Sequence, residues 1–197
     1  MKKILTITII LIAITTATAQ SKKIDIEFGM RGGLNFSTII SGEDNYENTN
    51  YLTSFYGGLV AEAAITKRFS AQTEIFYSGQ GFTVDLPAFE RDAEFQLDYI
   101  QIPLLAKFYI TKGFSVAAGP QFGFKVNEEI NAKPFADAPS FNTNSIKDFD
   151  LQGTLGAEYK FESGVFFQAR YSYGFSQVIE NVNVHNSVLS TGVGFMF

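Results

Sequence analysis

The 197-residue sequence contains no cysteine and no tryptophan. Without cysteine the chain can form no disulfide, no thiol nucleophile and no thiolate metal site. Beyond the first twenty residues, no stretch reaches the run of about 20 apolar residues that a transmembrane helix needs. No linker or low-complexity tract divides the chain either, so we expect a single domain.

The most apolar stretch of the sequence lies at its N-terminus. Two lysines precede the run from Ile4 to Ile14, and the small residues Ala17-Thr18-Ala19 follow it. This order is typical of a secretory signal peptide, so we expect cleavage after residue 19 and a mature domain of residues 20–197. Gln20, rather than a cysteine, follows the expected cleavage site, which disfavours a lipid-anchored lipoprotein.

Acidic residues outnumber basic ones by 20 to 15, and loss of two lysines with the signal peptide makes the mature chain more negative still. This balance argues against nucleic acid as a partner. We expect no cofactor and no metal. The loop carboxylates lack the spacing of a cation site, and Gly79-Gln80-Gly81 lacks the strand-to-helix context of a phosphate-binding loop.

Apolar and polar residues alternate through the rest of the chain, as in strands with one apolar face. The predicted strands are residues 24–36, 52–65, 69–78, 95–110, 114–125, 149–161, 165–176 and 187–197. Short turns alternate with predicted loops at 38–50, 79–94, 127–147 and 177–186, and the chain ends on an aromatic residue. This pattern is typical of a barrel that crosses a membrane. We therefore predict an all-β fold, an eight-stranded antiparallel transmembrane β-barrel.

Three-residue turns at 66–68, 111–113 and 162–164 keep the apolar faces on one side of the sheet. The predicted pairs across these turns are Ile65 with Phe69, Ile110 with Phe114, and Phe161 with Val165. Such turns favour a left-handed residue at the third position, which Gly113 and Gly164 satisfy and Arg68 does not.

Two prolines fall inside predicted strands. Pro103 and Pro120 lie beside each other in this register, facing Gln121 and Leu104 respectively. Proline cannot donate to a ladder, and a closed barrel has no edge, so we expect a local bulge or a broken ladder there.

The same alternation also fits a soluble lipocalin, with its apolar face inside. An eight-stranded barrel is only wide enough to be filled by side chains. About two dozen bulky apolar residues would not fit such an interior, whereas the face rich in glycine, serine, glutamine and charges would. We therefore predict that the apolar face points to lipid and the polar face lines the lumen.

Eight charged residues fall on the predicted lumen face: Arg31, Glu62, Glu74, Lys107, Lys125, Glu158, Lys160 and Arg170. Arg170 lies diagonal to Glu158 on the neighbouring strand, within reach of a long side chain. We interpret the set as a structural ion-pair network, because buried charges need partners. A gated polar path for ions or small solutes is one alternative, and a catalytic acid/base pair is another.

His185 is the only histidine, and it lies near Ser187 and Ser190 beside the last predicted loop. A histidine and a serine at the rim of a barrel could form a lipid-modifying site, since histidine can activate a serine hydroxyl. A lone histidine in a polar loop is more often simply solvated, so we expect no catalytic residues.

Four segments resemble those of a known family: Gly33–Ser37, Leu97–Lys107, Gly119-Pro120 and Arg170–Phe175. They are similar to the PorT-like outer-membrane β-barrel proteins of Bacteroidota-type bacteria, and the resemblance covers nearly all of the mature chain. The resemblance implies an eight-stranded, porin-like barrel of a Gram-negative outer membrane. One relative takes part in protein secretion, so a secretion-associated role is one implication.

We therefore expect a non-enzymatic outer-membrane barrel with a structural, partner-binding or secretion-associated role and a lumen closed by ion pairs. The expected partners are outer-membrane lipid, lipopolysaccharide and a protein that contacts the loops. The alternatives are a narrow passive pore for ions or small solutes and a rim enzyme that modifies lipid A.

Overall fold

A computed structural model of the protein describes residues 25–41, 49–86, 91–131, 146–180 and 182–197, without the side chains of residues 85, 86, 91–93, 130 and 131. Eight antiparallel strands pair in sequence order, and the last pairs with the first. They are β1 (Asp25–Ser41), β2 (Thr49–Ala64), β3 (Phe69–Leu86), β4 (Arg91–Tyr109), β5 (Phe114–Asn131), β6 (Phe149–Lys160), β7 (Val165–Gly174) and β8 (Val184–Met196). The predicted eight-stranded antiparallel barrel is confirmed. No helix among the described residues is long and apolar enough to span a membrane.

The barrel has two unlike ends. The three short turns and the start of β1 lie at one end, which we call the turn end, and the longer connections lie at the other, the loop end. The predicted signal peptide lies outside the described residues. So do residues 42–48 and 132–145 of the predicted loops.

Most strands extend further at the loop end than the sequence predicts, whereas β6 begins at the predicted residue and β7 ends two residues earlier. Residues 79–94 were expected to form a loop, but β3 and β4 pair from Gly79↔Asp98 to Leu86↔Arg91. The rings of Phe82 and Phe95 stack there with centroids 4.8 Å apart. Cross-strand stacking of this kind stabilises a hairpin and outweighs the local preference of glycine and proline for turns.

The predicted faces of the wall are confirmed. Apolar side chains at alternate positions are exposed on the outside, such as Phe28 at 60% and Leu155 at 63%. Polar and charged side chains at the intervening positions are buried inside, such as Arg31 and Glu74. This arrangement contradicts the lipocalin alternative and fits a wall that faces lipid.

The register is staggered around the barrel. A path of paired residues that leaves β1 at Ile26 crosses all eight strands and returns to β1 at Phe36, ten residues further along. A stagger of this size requires strands that tilt by about 35–45° from the barrel axis. Residues from distant strands therefore meet at one level of a narrow lumen.

The three hairpin pairs predicted across the turns are present. The N–H groups of Ile65, Ile110 and Phe161 donate to the carbonyls of Phe69, Phe114 and Val165 at 3.0, 2.9 and 2.8 Å. The predicted left-handed conformation occurs at Gly164, with φ of 88°, but is absent at Gly113, so that prediction was wrong.

A threonine hydroxyl explains the two turns that lack a left-handed residue. The Oγ1 of Thr66 accepts the N–H of Phe69 at 3.0 Å, and the Oγ1 of Thr111 accepts the N–H of Phe114 at 3.2 Å. A hydroxyl that caps the turn in this way replaces the backbone geometry that would need glycine. Arg68 therefore fits its turn.

Each short turn also forms a backbone hydrogen bond with the strand that follows its hairpin. The carbonyls of Arg68, Gly113 and Gly164 accept the N–H groups of Tyr109, Lys160 and Met196 at 2.8, 2.8 and 2.9 Å. The third residue of every turn thus continues the sheet around the barrel, and the turn end forms an unbroken ring.

The ladder is broken at the two prolines, as predicted. Pairing of β4 with β5 stops between Pro103↔Gln121 and Ala106↔Ala118, with the same register on both sides. The carbonyl of Pro103, beside this break, accepts a hydrogen bond from the hydroxyl of Thr73 on β3 at 3.1 Å. A side chain thus satisfies this backbone group.

Candidate functional site: the charged and capped lumen

A buried triad of two arginines and one glutamate crosses the lumen. Glu74 on β3 contacts Arg31 of β1 at 2.6 Å and Arg170 of β7 at 2.7 Å, and all three side chains are at most 6% exposed. Gln72 also donates to Glu74 at 2.6 Å, and the Arg31 guanidinium lies 4.2 Å from the centre of the Phe76 ring. This Arg–Glu–Arg triad ties β1, β3 and β7 together across the barrel.

A second triad has the opposite composition. The Nζ of Lys107 on β4 contacts Glu62 of β2 at 2.8 Å and Glu158 of β6 at 2.5 Å. The hydroxyl of Tyr109 donates to the other carboxylate oxygen of Glu62 at 2.6 Å. This Glu–Lys–Glu triad ties β2, β4 and β6 together. One triad carries one excess positive charge and the other one excess negative charge, so the two together are neutral.

The Glu–Lys–Glu triad follows from a simple spacing in the sequence. Glu62, Lys107 and Glu158 each lie four residues before the first residue of a three-residue turn. Equivalent positions on alternate strands point inward at the same distance from the turn end. The equal offset is a signal that could have identified these three residues as one cluster.

The remaining two predicted lumen residues lie toward the ends of the barrel and are less buried. Lys160 pairs with Glu27 at 2.6 Å near the turn end. Lys125 pairs with Glu128 at 2.6 Å and with Asp148 at 3.3 Å near the loop end. The predicted set is thus brought together as two central triads and two flanking pairs rather than as one network.

One predicted contact was wrong. Arg170 was expected to reach Glu158 diagonally, but its ion pair is with Glu74, and Glu158 pairs with Lys107 instead. The reason is geometric, because strand tilt brings β7 opposite β3 inside a narrow barrel, whereas a diagonal neighbour lies along the wall. Sequence reasoning also missed Glu27 and Tyr109, since alternation assigns a face but no partner.

Amide side chains fill the lumen beyond the triads. Gln121 donates to Gln152 at 2.8 Å, and Gln152 donates to Gln80 at 3.2 Å and to Asp150 at 2.7 Å. Asp150 also accepts bonds from Ser176 and Asn186 at 2.5 and 2.6 Å. Three donors satisfy this buried carboxylate without a cation. No group of three or more histidines and carboxylates within the described ranges could hold a metal ion.

A cluster of apolar side chains is buried inside the barrel at the loop end, and we call it the apolar cap. Its buried members are Ile39, Phe82, Phe95, Leu97, Tyr99, Val178 and Val184. Val178 comes from the connection between β7 and β8, and the neighbouring Ile179 pairs with Ile146 in a short bridge. The sequence predicted a polar lumen throughout, so the cap was missed. Four of its residues lie in predicted loops, and Phe95, Leu97 and Tyr99 lie in the first residues of a predicted strand, where alternation alone does not indicate an apolar cluster.

His185 has structural contacts at the rim. Its Nδ1 lies 3.1 Å from the carbonyl of Ser176, its Nε2 lies 3.0 Å from the Oδ1 of Asn183, and its ring stacks on Tyr173. The hydroxyls of Ser187 and Ser190 bond to Tyr171 and Asn35 instead. Both histidine nitrogens are therefore engaged away from the two serines that a nucleophile mechanism would use.

The sequence and the fold agree on a family. Residues 18–180 match the family model described as "Outer membrane protein beta-barrel domain". The chain belongs to this family. Its members' location implies that the barrel described above spans the outer membrane. In such barrels the short turns face the periplasm and the longer loops face the exterior, which orients the turn end and the loop end. Comparison with curated proteins finds no significant match.

Solved structures of other bacterial barrels share the fold. Neisserial surface protein A is 14% identical, with a TM-score of 0.56 over 86% of this chain and 97% of its own. The attachment invasion locus protein Ail of Yersinia pestis is 14% identical, with a TM-score of 0.52 over 87% of this chain and 98% of its own. Ail in complex with the heparin analogue sucrose octasulfate gives a TM-score of 0.50 at 12% identity, over 88% and 99% of the two chains.

Proposed function

We propose that the protein is a closed, non-enzymatic barrel of the outer membrane with a structural or partner-binding role. The observation that carries this proposal is the presence of two different barriers in one lumen. The Arg–Glu–Arg and Glu–Lys–Glu triads lie in the middle of the lumen and toward the turn end, and the apolar cap lies at the loop end. A solute would have to break both.

The triads are costly to open. Every charge in them is buried, and removing one partner from a buried ion pair typically costs about 3–5 kcal/mol because the other charge is left without compensation. An ion that entered the lumen would have to replace such contacts. The apolar cap adds a second cost, since six of its seven side chains offer a hydrated ion no hydrogen-bonding group.

The partner is a protein that contacts the loop end. The charged residues described there are mainly acidic and include Glu94, Glu129, Asp148 and Glu180, against Lys125 and Lys147. An acidic surface favours a basic or neutral protein partner. It disfavours a sulfated sugar of the kind bound to Ail, because like charges repel. Lipid and lipopolysaccharide surround the exposed apolar wall.

We further propose that the chain belongs to the PorT-like group and serves protein secretion. The support is the segment Leu97–Lys107, which resembles that group and supplies both Leu97 of the apolar cap and Lys107 of a triad. Affinity purification of the tagged protein from its own membranes tests this role. Recovery of secretion-apparatus subunits is the expected result, and recovery of the barrel alone would contradict it.

Export through a signal peptide cleaved after Ala19 is part of the same proposal. Sequencing the N-terminus of the protein recovered from the outer-membrane fraction tests it. The expected first residue is Gln20, and an intact Met1 in that fraction would contradict the proposal.

Planar-bilayer conductance tests the closed lumen. We expect no discrete current steps from the wild-type barrel and none from Glu129→Gln, a control at an exposed loop-end carboxylate. Steps in the wild type that change in size with Arg170→Ala or Glu62→Ala would overturn the proposal in favour of a pore.

A narrow passive pore is the second candidate because one observation favours it. The turn end opens into a cavity of about 770 Å³ lined by charged and polar residues, among them Glu27, Glu62 and Lys160. Opening of the two triads together with displacement of the apolar cap would connect this cavity with the exterior. No comparable observation favours the rim enzyme, and we expect His185→Ala to leave the lipid A of producing cells unchanged in mass.

A further inference from the structure

The turn end carries an uneven charge. Lys67 and Arg68 lie in the turn between β2 and β3, and Lys112 lies in the turn between β4 and β5. All three residues are exposed, and none forms an ion pair with the part of the chain that the structure describes. The third turn carries Glu162, and β1 begins with Asp25. The first two turns therefore carry only basic charges, whereas the start of β1 on one side of them and the third turn on the other carry acidic charges.

The two cationic turns are held next to each other. The carbonyl of Arg68 accepts the N–H of Tyr109 at 2.8 Å, which fixes the first turn against the strand that leads into the second. Thr66 and Thr111 cap the two turns through their hydroxyls, so the backbone shape does not depend on the basic side chains. We call Lys67, Arg68 and Lys112 the cationic turn pair.

The residues beside the two turns indicate how deep the cationic turn pair lies in the membrane. Each turn is flanked by exposed apolar residues, with Ile65 and Phe69 on either side of the first and Ile110 and Phe114 on either side of the second. Apolar side chains that face lipid thus lie within two residues of the cations. The lysine and arginine head groups therefore lie where the hydrocarbon ends, at the level of lipid headgroups.

We propose that the cationic turn pair is a docking surface for the phosphate headgroups of anionic phospholipid in the periplasmic leaflet. Charge complementarity selects the occupant, because adjacent basic residues at the bilayer surface attract anionic lipid. The apolar flanks keep the turns at headgroup depth, away from the peptidoglycan and periplasmic proteins that lie further from the membrane. Asp25 and Glu162 lie on either side of the cationic turn pair around the rim and repel the same lipids, so binding is confined to the two basic turns.

Native mass spectrometry of the full mature barrel from nanodiscs tests this proposal. The bilayer is phosphatidylethanolamine with a minor share of phosphatidylglycerol. The wild type is expected to retain phosphatidylglycerol above its bulk share. In the Lys67→Gln/Lys112→Gln variant we expect this enrichment to fall about fivefold for each charge removed, because one basic residue contributes about 1 kcal/mol near an anionic surface.

Two controls separate charge from folding. Lys147→Gln removes an exposed lysine at the loop end and should leave the enrichment unchanged. Lys67→Arg/Lys112→Arg keeps the charge and should retain it, whereas a general defect would lower retention in every variant. Raising the salt to about 1 M, where the screening length falls to about 3 Å, should weaken retention by the wild type.

Three outcomes would overturn the proposal. The first is retention of phosphatidylglycerol at its bulk share by the wild type, and the second is equal enrichment in Lys67→Gln/Lys112→Gln. The third is recovery of a periplasmic protein that depends on the three basic residues and survives removal of lipid, which would assign the surface to a protein partner instead. None of these outcomes bears on whether the lumen conducts, so the proposal can fail independently of the closed barrel.

Discussion

The lumen is filled in two different ways, by ion pairs toward the turn end and by apolar side chains at the loop end. Glu74 and Lys107 each join three strands that are not neighbours in the wall. Val178, by contrast, comes from the connection between β7 and β8 and belongs to the apolar cap together with Leu97 of β4. The difference teaches that paired charges can hold distant strands together where the lumen is polar, whereas a connecting segment packs onto the strands through apolar contact.

The largest effect is expected from breaking the Arg–Glu–Arg triad. Glu74→Ala leaves Arg31 and Arg170 buried without a carboxylate, and we expect a loss of about 3–5 kcal/mol in the free energy of unfolding. Urea titration of the barrel in detergent, followed by tyrosine fluorescence, measures this loss. Glu94→Gln, at an exposed carboxylate, is the matched control and should unfold like the wild type. A loss below about 1 kcal/mol for Glu74→Ala would show that the triad does not brace the barrel.

The second-largest effect on stability is expected from truncating a side chain in the apolar cap. Leu97→Ala leaves a cavity beside Phe95 and Val178, and large-to-small core changes of this type cost about 2–5 kcal/mol. We expect the same titration to show a loss near the lower end, because the cap lies at one end of the barrel and can relax. An unchanged stability would mean that the cap does not pack as described.

Gln101 marks the boundary between the two halves, because it lies on β4 between Leu97 and Lys107. It is fully buried, and neither its Oε1 nor its Nε2 bonds to any described residue. Gln101→Met keeps the volume and removes both buried polar atoms. We expect a gain of about 1 kcal/mol in the same unfolding measurement. A loss of similar size would show instead that solvent reaches this level of the lumen and that the polar half extends further.

The smallest effect is expected outside the lumen, at a turn. Thr66→Ala removes the hydroxyl that accepts the N–H of Phe69, and we expect a loss of about 0.5–1 kcal/mol. Thr66→Ser restores the acceptor and should return the midpoint to that of the wild type. If both variants unfold alike, the hydroxyl does not stabilise the turn.

Local pattern was sufficient to predict the wall but not the contacts inside it. Alternation gave all eight strands and the outward aromatic face, and turn length gave the pairing of Ile65 with Phe69 and of Phe161 with Val165. These features depend on neighbours in sequence or across one hairpin. The partner of Arg170 depends on tilt and stagger accumulated over several strands, which no single hairpin reveals.

The loop end was predicted least well, for a related reason. Residues 79–94 contain glycine, proline and charged residues that favour a loop, and Gly81 does adopt a left-handed conformation with φ of 140°. The stacking of Phe82 on Phe95 and their burial in the apolar cap nevertheless extend the hairpin. Tertiary contact overrides local propensity where apolar residues can be buried.

The seam between the first strand and the last has a consequence for biogenesis. The N–H of Phe197 donates to the carbonyl of Phe28 at 2.8 Å, so the pairing of β8 with β1 continues to the edge of the turn end. Before β8 pairs with β1, both strands have an open edge, and neither edge can lie among acyl chains without unsatisfied amides. Insertion therefore requires that β8 be present and paired, and a chain without the last residues of β8 should accumulate outside the membrane.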